Sequence, residues 1–328
     1  MTVVFYTHLA FDFPDYIDCL RRDFPGHRIV VAGTRDELAT ALPGADAVVW
    51  GHPEEELLEK APQLRTIFIP FTGINRVPAE YLRKRGIAVA NNHGNSVVVA
   101  ERAVALTLAL LGRVVEFHNG LARGYWHRRD DPNHPFEYWH SLYGKPVTIL
   151  GTGAIGRHIA AMLRPLASSI IGFRRRTGTG LPPGFDHVTT DLRTACTAAQ
   201  TVIIALPLTP QTEGLFDTHN IDLLAEHYVI NVARGEIIGE EALYRGLASG
   251  RIAGAALDVW YRYPEPFNAA AMPSHYPFQD LPNVVMSPHA ASHSMEGKRY
   301  QMEGTVNAVR HLLEHGRLSD EADLEAGY

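Results

Sequence analysis

Residues 147–156, VTILGTGAIG, limit what this chain can fold into more than any other stretch. Four largely apolar residues run into Gly151, Gly153 and Gly156, and a helical pattern follows. A buried parallel strand that delivers the chain through a tight turn into a helix N-terminus has this order. The first glycine permits the turn, the second lets a pyrophosphate approach the backbone, and the third lets helix pack on strand. The start of that helix, at Ala154 and Ile155, offers unpaired N–H groups and partial positive charge to the phosphates. The stretch predicts a dinucleotide site on a doubly wound α/β domain.

The segments on either side fit that frame. Before it, residues 3–6, 28–32, 47–50, 66–69 and 87–90 are short apolar runs separated by helical patterns such as 15–22 and 35–42. The alternation predicts a smaller α/β unit with a parallel sheet. This unit lacks a phosphate-type glycine turn. The loop Pro70-Phe71-Thr72-Gly73-Ile74-Asn75 leaves one of its strands, where open α/β sheets collect ligands. It reads either as a ligand loop or as a plain turn with Gly73 at positive φ. Residues 96–115 read as one buried helix with Ser96 as its N-cap, and ordinary pairing is expected of Glu101 and Arg102. After the glycine turn, strands are expected at 169–173, 201–205, 228–232, 255–259 and 284–286. A long amphipathic helix follows over 297–315, with a frayed acidic tail from Ser319.

Composition serves mainly to exclude. A net charge of −6 and a pI near 6.3 give no electrostatic reason to expect nucleic acid or an anionic membrane as partner. The most apolar run, 103–111, is far short of a membrane span. The opening MTVVFYTHLA begins like a strand without a basic segment, so no signal peptide and a cytoplasmic setting are expected. Cys19 and Cys196 fit neither a disulfide framework nor a metal site. Residues 124–142 are dense in Trp126, His127, Arg128, Arg129, His134, Tyr138, Trp139 and His140. Their spacing matches no metal-ligand pattern, and aromatic residues with arginine are what interface cores favour. An arm docking on a partner subunit is expected there.

The residue closing the second strand of such a domain sorts the cofactors, because an acidic side chain there binds ribose hydroxyls and repels a 2′-phosphate. Here the position reads Arg174-Arg175-Arg176, with no carboxylate before Asp186. Guanidiniums pair strongly with a phosphate dianion, so NADP is expected, with NAD second. Three later segments, residues 231–243 (NVARGEIIGEEAL), 255–266 (AALDVWYRYPEP) and 284–293 (VVMSPHAASH), run off the carboxyl ends of predicted strands. Together they offer Arg234, Glu265 and His289. A guanidinium can fork a carboxylate and polarise the adjacent carbonyl. An imidazolium can protonate the oxygen as hydride reaches carbon, and a carboxylate beside it favours the charged form.

With these segments, GNSVVVAE (94–101), LYGKPVTILGTGAIG and ALPLTPQTEGLF (205–216), the chain resembles the D-isomer-specific 2-hydroxyacid dehydrogenases over nearly its whole length. The resemblance implies a doubly wound Rossmann cofactor domain, residues 97–291. It would be inserted in a smaller flavodoxin-like α/β substrate domain made from 1–96 and 292–328. It implies Arg234 on substrate carboxylate and carbonyl, His289 as acid/base, and Glu265 as its partner. Thr72, Gly73 and Ile74 would form the substrate loop. Leu206, Pro207, Thr212, Val232, Ala233 and Asp258 would lie along the cofactor, the last at its nicotinamide end. A homodimer through the cofactor domain, with an arm at 120–142, is implied, as is reduction of a small 2-oxo acid such as glyoxylate, hydroxypyruvate or pyruvate. Arg174 departs from the family pattern, as do Gly239, where the family usually has Asp, and a lengthened stretch from Asp258 to Glu265. A formate or phosphite dehydrogenase, or a cofactor-sensing corepressor, are the other occupants of such a scaffold.

Overall fold

A computed structural model describes residues 1–6, 14–127, 138–176, 180–265 and 269–328. The first part of the chain holds β1 (Thr2–Tyr6), α1 (Pro14–Asp23), β2 (Arg28–Ala32), α2 (Arg35–Ala41) and β3 (Ala47–Val49). It continues through α3 (Glu55–Leu58), β4 (Thr66–Ile69), α4 (Ala79–Arg85) and β5 (Ala88–Asn91). There follow α5 (Ser96–Leu111), α6 (Val114–Leu121), β6 (Val147–Leu150), α7 (Ala154–Leu163), β7 (Ile170–Phe173) and β8 (His187–Thr189). Then come α8 (Leu192–Thr197), β9 (Thr201–Ile204), β10 (Tyr228–Asn231), α9 (Glu240–Ala248), β11 (Gly254–Leu257), β12 (Val284–Met286) and α10 (Met295–His315). The chain divides into two units, one of residues 1–95 and 292–328, the other of residues 96–291.

The first unit has a five-stranded sheet in the order β2-β1-β3-β4-β5, with every pair parallel. This is the flavodoxin-like order. Alternate side chains sort to opposite faces: Val4, Val48, Ile67 and Ile69 enter one core, and Val3, Phe5, Val49 and Phe68 enter the other with Val306, Val309 and Leu313 of α10. The tail after α10 is not frayed as its acidic composition suggests. Ala322 donates its N–H to the Val89 carbonyl at 2.8 Å on edge strand β5, and Ala322 and Ala326 are buried. An unpaired edge and two small apolar side chains outweigh the charges around them.

The second unit has seven parallel strands in the order β12-β11-β10-β9-β6-β7-β8. The order reverses between β6 and β9, the switch point at which doubly wound sheets bind ligands. Val147, Ile149, Ile203 and Ile230 face a core shared with α5 and α7, while Leu150, Val202, Ile204 and Val229 face the opposite one. Period-two alternation with both faces apolar is why these strands read as continuous hydrophobic runs. The helix expected over 96–115 is two helices. A Cβ on Gly112 would lie 2.7 Å from the Leu108 carbonyl, and Arg113 turns left-handed at φ 50°, which ends α5 and starts α6. The short edge strand β8, only partly buried, lacked the apolar run that reveals the others.

Candidate active site

The turn after β6 divides its work among three glycines. Gly151 sits at φ +111°, and a Cβ there would collide with the Ala205 carbonyl oxygen. A Cβ on Gly156 would overlap the Gly151 carbonyl, so α7 lies directly on the turn. Gly153 differs: nothing lies within 4 Å of where its Cβ would be, and as N-cap of α7 it supplies no side-chain hydrogen bond. The first N–H groups of α7, including those of Ala154, Ile155 and Gly156, have no acceptor within the helix. An open, uncapped helix start at the switch point fits a pyrophosphate.

At the end of β7, Arg174 is partly buried, with a guanidinium N–H donated to the Gly180 carbonyl at 2.8 Å, while Arg175 and Arg176 are exposed. Asp186, the next carboxylate, is at the opposite end of that strand. It accepts the N–H of Ile170 at 2.7 Å and pairs with Arg164 at 2.6 Å, which holds its carboxyl below the usual range. Among the described residues between Arg174 and Asp186, no acidic side chain follows the carboxyl end of β7. Across the switch point, Leu206 is buried, and the Thr212 hydroxyl donates to the Pro207 carbonyl at 2.6 Å and accepts from Thr209 N–H at 2.8 Å. Thr212 shapes this loop.

The loops after β10, β11 and β12 are tied to one another. Asn231, ending β10, accepts from Ala233 N–H at 3.0 Å and donates to the Arg234 carbonyl at 2.9 Å. Val232 and Ala233 are buried beneath, and Arg234 is extended (φ −145°, ψ 148°) with its guanidinium donating to the Ala233 carbonyl at 2.7 Å. Gly235 follows because a Cβ there would lie 2.5 Å from the Trp260 carbonyl oxygen. Trp260 in turn donates its indole N–H to the Ser287 carbonyl at 2.7 Å. One buried tryptophan therefore joins the arginine loop to the histidine loop.

His289 is at φ 55°, one of three non-glycine residues with positive φ among those described, a conformation costing on the order of 1 kcal/mol. Asp258 holds it there. This fully buried carboxylate accepts the Ser287 hydroxyl and the Ala290 N–H (3.0 Å) on one oxygen, and the Ala291 N–H (2.9 Å) on the other. Its place is beneath the loop. The pairing expected of Arg102 is with a residue far along the chain. The Arg102 guanidinium reaches from α5 to the Ser287 hydroxyl at 3.0 Å. Glu265 is exposed, and no hydrogen bond or ion pair joins it to another described residue.

In the first unit, the Thr72 hydroxyl donates to the Asn92 carbonyl at 3.0 Å, and Asn91 donates to the Thr72 carbonyl at 2.6 Å. Ile74 is buried in the core, and Gly73 is not at positive φ, so the loop is held by two asparagines and not by glycine. On the second unit, Val114, Leu121, Trp126, Tyr138, Trp139 and Tyr143 are large apolar side chains left exposed, Tyr143 to 75%. Arg128, Arg129 and His134 of the aromatic arm lie outside the described residues. Among the described residues no three His, Cys, Asp or Glu side chains gather as a metal site, and no helix is long and apolar enough to cross a membrane.

Asn231, Trp260 and Ser287 were not singled out from the sequence, and Arg102 was given no part in the site. Each acts on a residue far along the chain or through the backbone, where no spacing rule applies.

Comparison with known proteins gives this site a context. Residues 104–291 match the family model of the D-isomer specific 2-hydroxyacid dehydrogenase NAD binding domain. A glyoxylate reductase of Thermofilum pendens is 32% identical over 289 residues, covering 85% of this chain and 81% of that protein. A D-3-phosphoglycerate dehydrogenase of Methanocaldococcus jannaschii is 28% identical over 84% of this chain, which spans only 51% of that longer protein. The crystal structure of an NADPH-dependent glyoxylate/hydroxypyruvate reductase from Sinorhizobium meliloti, in complex with NADP and malonate, superposes with a TM-score of 0.74. It is 23% identical, covering 99% of this chain and 98% of that one.

Proposed function

This chain belongs to the D-isomer-specific 2-hydroxyacid dehydrogenases, a family of nicotinamide-dependent oxidoreductases, and from that premise we propose that it is an NADP-preferring reductase of a small 2-oxo acid of the glyoxylate or hydroxypyruvate type. The observation that carries the proposal is the lock between the loops of Arg234 and His289 made by Trp260 and Asp258. A guanidinium and an imidazole on loops fixed to each other suit one small, doubly anchored substrate.

The cofactor preference is inferred from Arg174, Arg175 and Arg176 after β7, together with the placement of Asp186 at the far end of that strand. Gly151, Gly153, Gly156 and the first N–H groups of α7 would hold the dinucleotide, which would supply the hydride. Arg234 forks the carboxylate and draws electron density from the adjacent carbonyl. His289 donates a proton to the carbonyl oxygen, leaving the D-2-hydroxy acid. Thr72, Gly73 and Ile74 are assigned to the substrate carboxylate, and Glu265 to the imidazole, on the family motif. The exposed apolar side chains of α6 and of Trp126, Tyr138, Trp139 and Tyr143 are assigned to contact with a second copy of this chain.

A panel of 2-oxo acids measured with NADPH and NADH tests the proposal, with His289→Ala as control. Glyoxylate or hydroxypyruvate should be reduced with higher kcat/KM from NADPH. His289→Ala should lose about 10²–10⁴-fold in kcat with NADPH binding retained. Equal or better efficiency with NADH removes the cofactor assignment. Hydride transfer from formate or phosphite to the oxidised cofactor, without reduction of any 2-oxo acid, removes the substrate assignment.

A further inference from the structure

Tyr263 stands in the stretch between Trp260 and Glu265, and nothing above gives it a role. Its ring lies 5.5 Å from the His289 imidazole, centroid to centroid, with 54° between the planes. Its hydroxyl oxygen accepts the backbone N–H of Trp260 at 3.2 Å, which fixes where that oxygen sits. The hydroxyl's own proton finds no acceptor among the described residues. The residue is 39% exposed, so part of the side chain reaches open space. Burial raises its pKa above the ordinary value, and the Trp260 backbone hydrogen bond and the Arg234 charge oppose that rise. The group stays protonated near neutral pH and is a donor within electrostatic reach of both Arg234 and His289.

A phenylalanine would serve as well for a plain apolar wall. What the tyrosine adds is one O–H whose oxygen is already positioned, with its proton available to solvent or to a bound substrate. The atoms of a 2-oxo acid come in fixed order. With the carboxylate on Arg234 and the C2 oxygen on His289, the next atom would be C3, and a ring beside the imidazole would stand near it. We propose that Tyr263 is a specificity-determining residue that donates a hydrogen bond to an oxygen substituent on C3, favouring 3-hydroxy-2-oxo acids over their alkyl counterparts. This rests on the roles given to Arg234 and His289 above.

Hydroxypyruvate and pyruvate differ only in that C3 hydroxyl, so their kcat/KM ratio with NADPH isolates the contact. Wild-type protein should favour hydroxypyruvate, and Tyr263→Phe should lower the ratio about tenfold, with pyruvate changed by less than about twofold. Losing the acceptor for Trp260 N–H disturbs the loop for both acids alike, and it leaves the ratio where it was. An unchanged ratio in Tyr263→Phe, with both acids still reduced, overturns this role and leaves that of Arg234 and His289 standing. Wild-type protein that reduces neither acid overturns both.

Discussion

The turn after β6 and the cluster formed by the loops after β10, β11 and β12 lie at the carboxyl end of one sheet, yet they are held in opposite ways. In the turn, Gly151, Gly153 and Gly156 lie within six residues, and each acts through the backbone it lacks a side chain to obstruct. In the cluster, geometry comes from side chains reaching across the sequence. Trp260 and Asp258 grip a loop 27 and 29 residues on, and Arg102 reaches one 185 residues away. A phosphate site can be assembled from backbone N–H groups alone. A proton donor and a carboxylate fork must be aimed, and here the aiming uses distant anchors.

The sharpest way to break that contrast is to remove the buried anchor. Asp258→Ala leaves the Ser287 hydroxyl and the N–H groups of Ala290 and Ala291 without their acceptor, and His289 loses what holds its positive φ. A buried donor left unmet costs about 1–3 kcal/mol. Water entering the space offsets part of that, so a net loss of roughly 3 kcal/mol is expected, read as a lower Tm together with reduced turnover. NADPH affinity should fall far less, because the glycine turn makes none of these bonds. An unaltered Tm shows that the histidine loop stands without its carboxylate.

A smaller effect separates two glycines of the turn itself. Gly156→Ala drives a methyl into the Gly151 carbonyl and pushes α7 off β6, which should cost about 2 kcal/mol, within the usual range for overpacking. Gly153→Ala meets open space at φ −73°, so stability should change by less than about 1 kcal/mol. Its methyl stands where the pyrophosphate approaches, and KM for NADPH should rise on the order of tenfold. Thermal melts beside cofactor titrations distinguish the two. Equal effects of both variants on Tm contradict this division between packing and access.

The same contrast explains what was legible in the residues. The central strands of both sheets announce themselves as apolar runs because both their faces are covered, as those of edge strand β8 are not, and VTILGTGAIG shows its turn because glycine is required position by position. Arg234 and His289 follow strands and could be found by that rule. Asn231, Trp260 and Arg102 could not, since nothing local in an Asn, a Trp or an Arg says which loop it will hold. The break at Gly112 and Arg113 was hidden because Leu108, whose carbonyl excludes a side chain at Gly112, is itself a good helix residue. The tail from Ser319 was misjudged by its charge, since its anchor is a backbone hydrogen bond to β5 that no composition reveals. Glu265 remains where the motif puts it in sequence, without the contact to His289 that the motif implies.

A last comparison sets the glycine that starts α9 beside the one that starts α7. Gly239 and Gly153 are both N-caps without a side-chain hydrogen bond, whereas Thr34, Asp191 and Ser294 cap their helices with side-chain oxygens. At Gly153 the vacant cap leaves N–H groups open to a phosphate. At Gly239 the surroundings ask for no such opening: φ is −58°, a Cβ would meet its neighbours at 3.5–3.6 Å, and the backbone N–H already donates to the Phe216 carbonyl. Gly239→Ser should therefore restore a cap and stabilise the protein by a few tenths of a kcal/mol, visible as a small rise in Tm with kcat and KM unchanged. If kcat falls instead, the flexibility of the glycine serves the neighbouring Arg234 loop, and the vacancy at α9 is functional as the one at α7 is.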